Sequence, residues 1–271
     1  MLSLSYEDLN KRYEEYTSWL RCECAFATEM VGGQPATEEG VRQFVKYHLK
    51  LTDEKEAEAA VKRILHEEVE NVTPPEGEIP EGKMYGLRAV RNTNGWPWLG
   101  DWMIKAAIKQ ASSGLYVFQQ VLGTKRSFAE SSRVRAWKYS LQDPRESNVV
   151  YICHKDSDTP AETYYKQFMG RVQTPQGPVS IIHQSQCVAP GSRFAFEFRF
   201  MPVKNLKEDA IRDMLAMMMI VGLGSARSLE RGKFRILHAE LELAEHYKAK
   251  AEEPKKLVIK PPEDVSNQPV V

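Results

Sequence analysis

Between positions 222 and 235 lie the residues whose types and spacing could do chemistry: Gly222, Gly224 and Gly232 interleaved with Arg227, Arg231, Lys233 and Arg235. Glycine tolerates a left-handed backbone and lets a ligand approach the main chain closely. Guanidinium forks match phosphate oxygens in pairs, and consecutive backbone N–H groups in a tight turn add further donors for an anion. A plain helix-to-strand turn needs one glycine, so three glycines with four cations predict a loop that contacts phosphate. Dinucleotide loops and P-loops are excluded by order, because their glycines follow a strand and open a helix. Here the glycines follow a helical pattern and precede a strand.

Other chemically able residues point less sharply. His154, His183 and His238 are the candidates for a general base beside a ribose hydroxyl. No two of them share a recognisable motif, so no catalytic residue is expected, and a binding protein is expected ahead of an enzyme. Cys22 and Cys24 sit two apart in a strand-like stretch and point to one face. Together with Cys153 and Cys187 they make no CxxC pair, so buried free thiols in a reducing cytoplasm are expected, with no metal and no cofactor.

The net charge of zero is built from opposed blocks. Residues 53–82 carry ten acidic and three basic side chains, whereas 101–140 carry seven basic and two acidic. Screening acts over about 8–10 Å, so a local basic groove survives a neutral total. The basic block contains Lys105 and Lys109, one helical turn apart, then Lys125, Arg126, Arg133, Arg135 and Lys138.

These residues need elements to hold them. Residues 18–28 alternate, with Leu20, Cys22, Cys24 and Phe26 against Arg21 and Glu23, which predicts a half-buried strand. Two helices should follow, capped by Thr37 and Thr52, the first with His48 on its inner stripe. Three prolines and two glycines make 71–83 a loop. An aromatic turn, Gly95 to Gly100, leads to Asp101 as cap of a helix with Ile104, Ala107, Ile108 and Ala111 inward. Strands are expected at 114–122, 133–140, 148–154 and 178–188. The clearest strand is 193–200, where Phe194, Phe196, Phe198 and Phe200 share a face, read as core in preference to a base-stacking platform. Helix 206–220 follows, with Leu206, Ile211, Met214, Leu215 and Met218 inward, then a strand at 233–243. The apolar run Met214–Leu223 is too short to span a bilayer, and the N-terminus has no signal-peptide pattern.

Strand 18–28, helix 101–112, strands 178–188 and 193–200, helix 206–220 and strand 233–243 give a β-α-β-β-α-β order. That is an α+β, ferredoxin-like (RRM-like) core with large insertions. The organisation expected is one domain over 1–247, with a helical insertion at 37–69 and a thumb-like one at 114–175. Residues 248–271, rich in proline and charge, read as a flexible or extended arm.

With Gly222 to Arg235 between the last helix and last strand, and GWPWLGDWMIKAAIKQAS opening the first helix, the chain resembles the repeat-associated (RAMP) superfamily of CRISPR RNA-binding proteins. The resemblance covers most of 18–28, 95–112 and 178–243, and is greatest to the subunits that coat a guide RNA. It implies a non-catalytic subunit of a cytoplasmic ribonucleoprotein assembly that binds single-stranded RNA, or DNA, and self-assembles or joins other subunits. The nucleic-acid contacts expected are Lys105, Lys109, Arg126, Arg133, Arg135, Gly222, Gly224, Arg227, Arg231 and Lys233. A thumb wedging between bases would draw on Tyr116, Phe118, Phe128 and Trp137. Two alternatives stand beside this: a self-assembling structural protein, for example of a virus particle, and a metal-independent endoribonuclease.

Overall fold

The computed structural model describes residues 15–35, 41–42, 45, 53–65, 84–113, 133–139, 148–174, 177–200, 208–225, 227–244 and 257–259. In chain order the first strands are β1 (Ser18–Phe26), β2 (Met30–Val31), β3 (Gln34–Pro35), β4 (Met84–Ala89), β5 (Asn92–Thr93) and β6 (Trp96–Gly100). Then come β7 (Arg133–Ala136), β8 (Val149–Cys153), β9 (Thr163–Thr174), β10 (Gly177–Val188), β11 (Arg193–Phe200), β12 (Phe234–Glu242) and β13 (Leu257–Ile259). The helices of the described residues are α1 (Glu54–Arg63), α2 (Asp101–Ser113) and α3 (Glu208–Val221). The fold is α+β, and its sheets are mostly antiparallel.

Eight strands form the main sheet, ordered β13-β12-β1-β11-β8-β6-β5, with β7 also paired to β11. Five form a second sheet, ordered β2-β10-β4-β3 with β9 on β10, where β10 and β4 run parallel. Strand 178–188, expected as the second strand of the β-α-β-β-α-β core, lies instead in this second sheet. It pairs with β9 along its whole length, from Gly177 opposite Thr174 to Val188 opposite Thr163. Only two residues separate those strands, so closing that hairpin costs far less chain entropy than reaching a distant partner. The places beside β11 go to β7 and β8, two stretches of the 114–175 segment.

Alternation decides the two faces of the main sheet. Leu20 lies between Leu241 and Phe198, Cys22 between Ala239 and Phe196, and Cys24 between Ile236 and Phe194. The four phenylalanines are at most 2% exposed, and each such burial stabilises by about 1.5–3 kcal/mol. Helices α2 and α3 cover this face with Ile104, Ala107, Ile108 and Ala111 and with Ile211, Met214, Leu215 and Met218. All four cysteines are buried free thiols, and burial pushes Cys153 and Cys187 up to about 12.

Helix α1 packs Ala60, Val61 and Ile64 with Val41, Val45 and Ala89 in a separate cluster. Its cap is Asp53 and not Thr52: one carboxylate oxygen accepts from the amides of Lys55 at 2.9 Å and Glu56 at 3.0 Å. A charged cap also meets the positive end of the helix dipole. Thr37, His48, Leu206 and the 71–83 loop lie largely or wholly outside the described residues, as does strand 114–122. Part of the C-terminal arm is extended chain, since β13 lies antiparallel on β12 with Ile259 opposite Ala239. No helix among the described residues is long and apolar enough to cross a membrane.

Candidate nucleic-acid interface

Gly222 ends α3. Its φ of +73° turns the chain, and its amide donates to the Met218 carbonyl at 2.9 Å. The returning chain then packs on its own start: Leu223 donates to the Gly232 carbonyl at 2.9 Å, and Gly232 donates to the Glu29 carbonyl at 2.8 Å. A Cβ at Gly232, whose φ is +70°, would sit 1.7 Å from the Leu223 oxygen, so no other residue fits. Ser225 donates its amide to the Val31 carbonyl at 2.9 Å and its hydroxyl to that of Gly32 at 2.8 Å. Thr28 completes the stitching, donating to the Glu230 carbonyl and accepting from the Lys233 amide, both at 3.0 Å. The loop's amides at 222, 223, 225, 230, 232 and 233 are thus spent on the protein. The cations, more than these six amides, are therefore what the loop offers a phosphate.

Those side chains differ among themselves. Arg231 joins Glu29 at 3.0 Å, in a cluster where Lys166 reaches the same carboxylate at 2.7 Å and the Tyr164 hydroxyl donates to its other oxygen. Burial raises the Glu29 pKa, but hydrogen bonds from Lys166 and Tyr164 and the charges of Arg231 and Lys166 outweigh it, leaving the carboxyl below its ordinary range. Lys233 turns its ammonium onto the Ile220 carbonyl at the C-terminal end of α3 and toward Glu230. Two of the four cations are exposed: Arg235, on β12, and Arg227, which donates to the side-chain oxygen of Gln110 on α2 at 3.0 Å. Gln110 adjoins exposed Lys109, and one turn back Lys105 pairs with Asp101 at 3.1 Å. The loop therefore meets α2 at Gln110, over a hundred residues away in sequence.

Arg133 and Arg135 go elsewhere. On the face of the main sheet away from the helices, cross-strand rows run Glu242, Trp19, Arg199, Arg133 and then Glu240, Arg21, Glu197, Arg135. Glu197, with its side chain 3% exposed, takes Arg135 at 2.5 Å, Arg21 at 3.0 Å and Arg199 at 3.2 Å. The Arg199 guanidinium lies 3.6 Å from the centre of the Trp19 ring, with Arg135 and Arg21 at 5.2 and 5.7 Å. In the next row Glu23 accepts from Lys138 at 2.5 Å and from the Tyr139 hydroxyl at 2.8 Å. Burial raises the Glu23 pKa, yet the bonds from Lys138 and Tyr139 and the charges of Lys138 and Arg193 bring it below the ordinary range. The same burial and hydrogen bond raise that of Tyr139.

Arg126 and three of the four thumb aromatics, Tyr116, Phe118 and Phe128, lie outside the described residues. Trp137 stacks on His238 at 6.3 Å, and His238 meets Glu240 at 3.0 Å. His154 accepts from the Asp156 amide at 3.3 Å, and the His183 side chain is outside the described set. No group of three potential metal ligands occurs among the described residues. Trp19, Arg21 and Arg199 were readable as the outward positions of two alternating strands. Glu29, Tyr164 and Lys166 carried no signal, because Glu29 is over a hundred residues from the other two.

No protein-family model matches the sequence, and no curated protein matches it. Among solved structures, a chain of a cryo-EM structure of the Type III-B Cmr-beta bound to cognate target RNA is similar at a TM-score of 0.43 and 13% identity. The alignment covers 88% of this chain and 66% of that one.

Proposed function

We propose that this protein is a non-catalytic, single-strand-binding subunit of a ribonucleoprotein assembly, with a ferredoxin-like core. One observation supports the binding reading above the others: the exposed Arg227 bonds Gln110, which ties the Gly/Arg loop to α2, the helix that also carries Lys105 and the exposed Lys109. The core reading draws on the antiparallel order β12-β1-β11-β8, with α2 and α3 on one face. In this reading Arg227 and Lys109 contact phosphates directly. Arg231 and Lys233 hold the loop in shape, and Gly222 and Gly224 let it return close to β2. The residues of 114–175 outside the sheets supply the thumb, RNA is the preferred strand, and other subunits or further copies of the chain complete the assembly.

The test is the affinity for a labelled single-stranded RNA as a function of salt. Counterion release predicts a log–log slope of about −0.7 for each phosphate neutralised on a single strand. Replacing Arg227 by glutamate should weaken binding about tenfold and flatten the slope by about one contact. An affinity indifferent to salt, or to Arg227→Glu, removes the proposal.

A further inference from the structure

A groove of about 300 Å³ opens beside the same loop, between the Gly32–Gly33 turn, Gly224–Ser225 and the start of α2. One wall is aromatic. Trp98 and Trp102 meet edge to face at 6.0 Å, and the Arg91 guanidinium lies 5.5 and 4.9 Å from their ring centres. Trp98 is fixed by its indole N–H donating to Thr93 at 3.1 Å, whereas Trp102 is 48% exposed. Trp102 can fold back only because residue 100 is glycine, where a Cβ would meet the ring at 2.3 Å.

The opposite wall is peptide edge. A Cβ at Gly224 would touch the Met30 sulfur and the Val31 oxygen at 2.9 Å, and one at Gly33 would crowd Ser225 at 3.2 Å. No acidic residue lines the space, so nothing in it calls for a cation. The volume is at the small end of ligand pockets, enough for one flat heterocycle and too small for a folded segment. Two indole surfaces, a planar guanidinium and peptide edges suit a ring with a π-face and polar rim.

We infer that this groove takes a nucleobase, stacked against Trp102, from the strand whose phosphates meet Arg227. This rests on the single-strand reading above, because Gly224 and Ser225 belong to the same loop. Gln110 lies eight residues along α2 from Trp102, about 12 Å at the helical rise, so base and phosphate contacts share one path.

The experiment compares Trp102→Ala, Trp102→Phe and Arg227→Glu on two ligands: a single-stranded RNA oligomer and an abasic ribose-phosphate strand of equal length. Trp102→Ala should weaken the RNA about tenfold and leave the abasic strand and the salt slope unchanged. Trp102→Phe should restore most of the loss, and Arg227→Glu should weaken both ligands. If Trp102→Ala, shown folded by its melting curve, binds RNA like the parent while Arg227→Glu does not, the base site is wrong and the phosphate surface stands. If the parent binds neither strand, the single-strand reading fails, and adenosine monophosphate becomes the probe. Tryptophan quenching by it that Trp102→Ala abolishes would keep the groove as a site for a free nucleotide, and no quenching would overturn it.

Discussion

The Gly/Arg loop and the helix-free face of the main sheet are both rich in arginine and aromatic residues, yet they use them oppositely. On the sheet face, Arg21, Arg135 and Arg199 converge on one buried carboxylate and lie over Trp19. On the loop, Arg231 and Lys233 are likewise held inward, but Arg227 is exposed and bonded to a neutral amide. A guanidinium fixed by a carboxylate and a ring face has few donors left for phosphate. One facing solvent with only a neutral amide on it has most of its fork to give. Arginine content alone does not mark a nucleic-acid surface; the partner of each arginine does.

The comparison can be broken or sharpened by experiment. The largest effect is expected at Gly232→Ala: the added Cβ meets the Leu223 oxygen at 1.7 Å in a left-handed backbone. We expect a loss of about 3 kcal/mol or more, read by thermal melting as a fall of about 2–4 °C per kcal/mol. A melting point like the parent's would mean that the loop does not close on itself as described.

Glu197→Gln should come next, at about 2 kcal/mol, because it leaves three guanidiniums without a full counter-charge while their partial exposure softens the cost. It should lower stability without weakening RNA binding, and Arg135→Ala should do the same. Should Arg135→Ala weaken binding as much as Arg227→Glu, the contrast between the two regions collapses.

The smallest effect concerns acid. Glu29 is held below its ordinary range in the folded chain, so it contributes stability that is full above the unfolded glutamate pKa of about 4.3 and lost as pH falls through the folded value. Glu29→Gln should therefore lower the melting point near neutrality and flatten its decline below about pH 5. An acid limb as steep as the parent's would assign that decline to other carboxylates, Glu23 first among them.

Much of the fold was legible before any coordinates. Period-two alternation in 18–26 and 193–200 assigns a buried and an outward face, and every phenylalanine and cysteine so assigned is buried. The inward stripes of α2 and α3 follow from the 3.6-residue repeat in the same way. The loop's place between α3 and β12 is likewise a matter of chain order. The candidate site was half legible: Arg227, Lys105 and Lys109 could be named as cations, but that Arg227 reaches α2 at Gln110 could not.

What the sequence by itself determined is therefore local: which residues form strands and helices, which side of each turns inward, and where a glycine must end a helix. Side-chain period and backbone sterics act within a few residues, so they can be read along the chain. Only the tertiary structure decided that β10 leaves the main sheet for a hairpin with β9, that Arg231 is bound by Glu29 while Arg227 reaches α2, and that Trp102 faces Gly224. Those outcomes are set by competition among distant partners for the same strand edge or the same charge, and no short-range pattern records which partner wins.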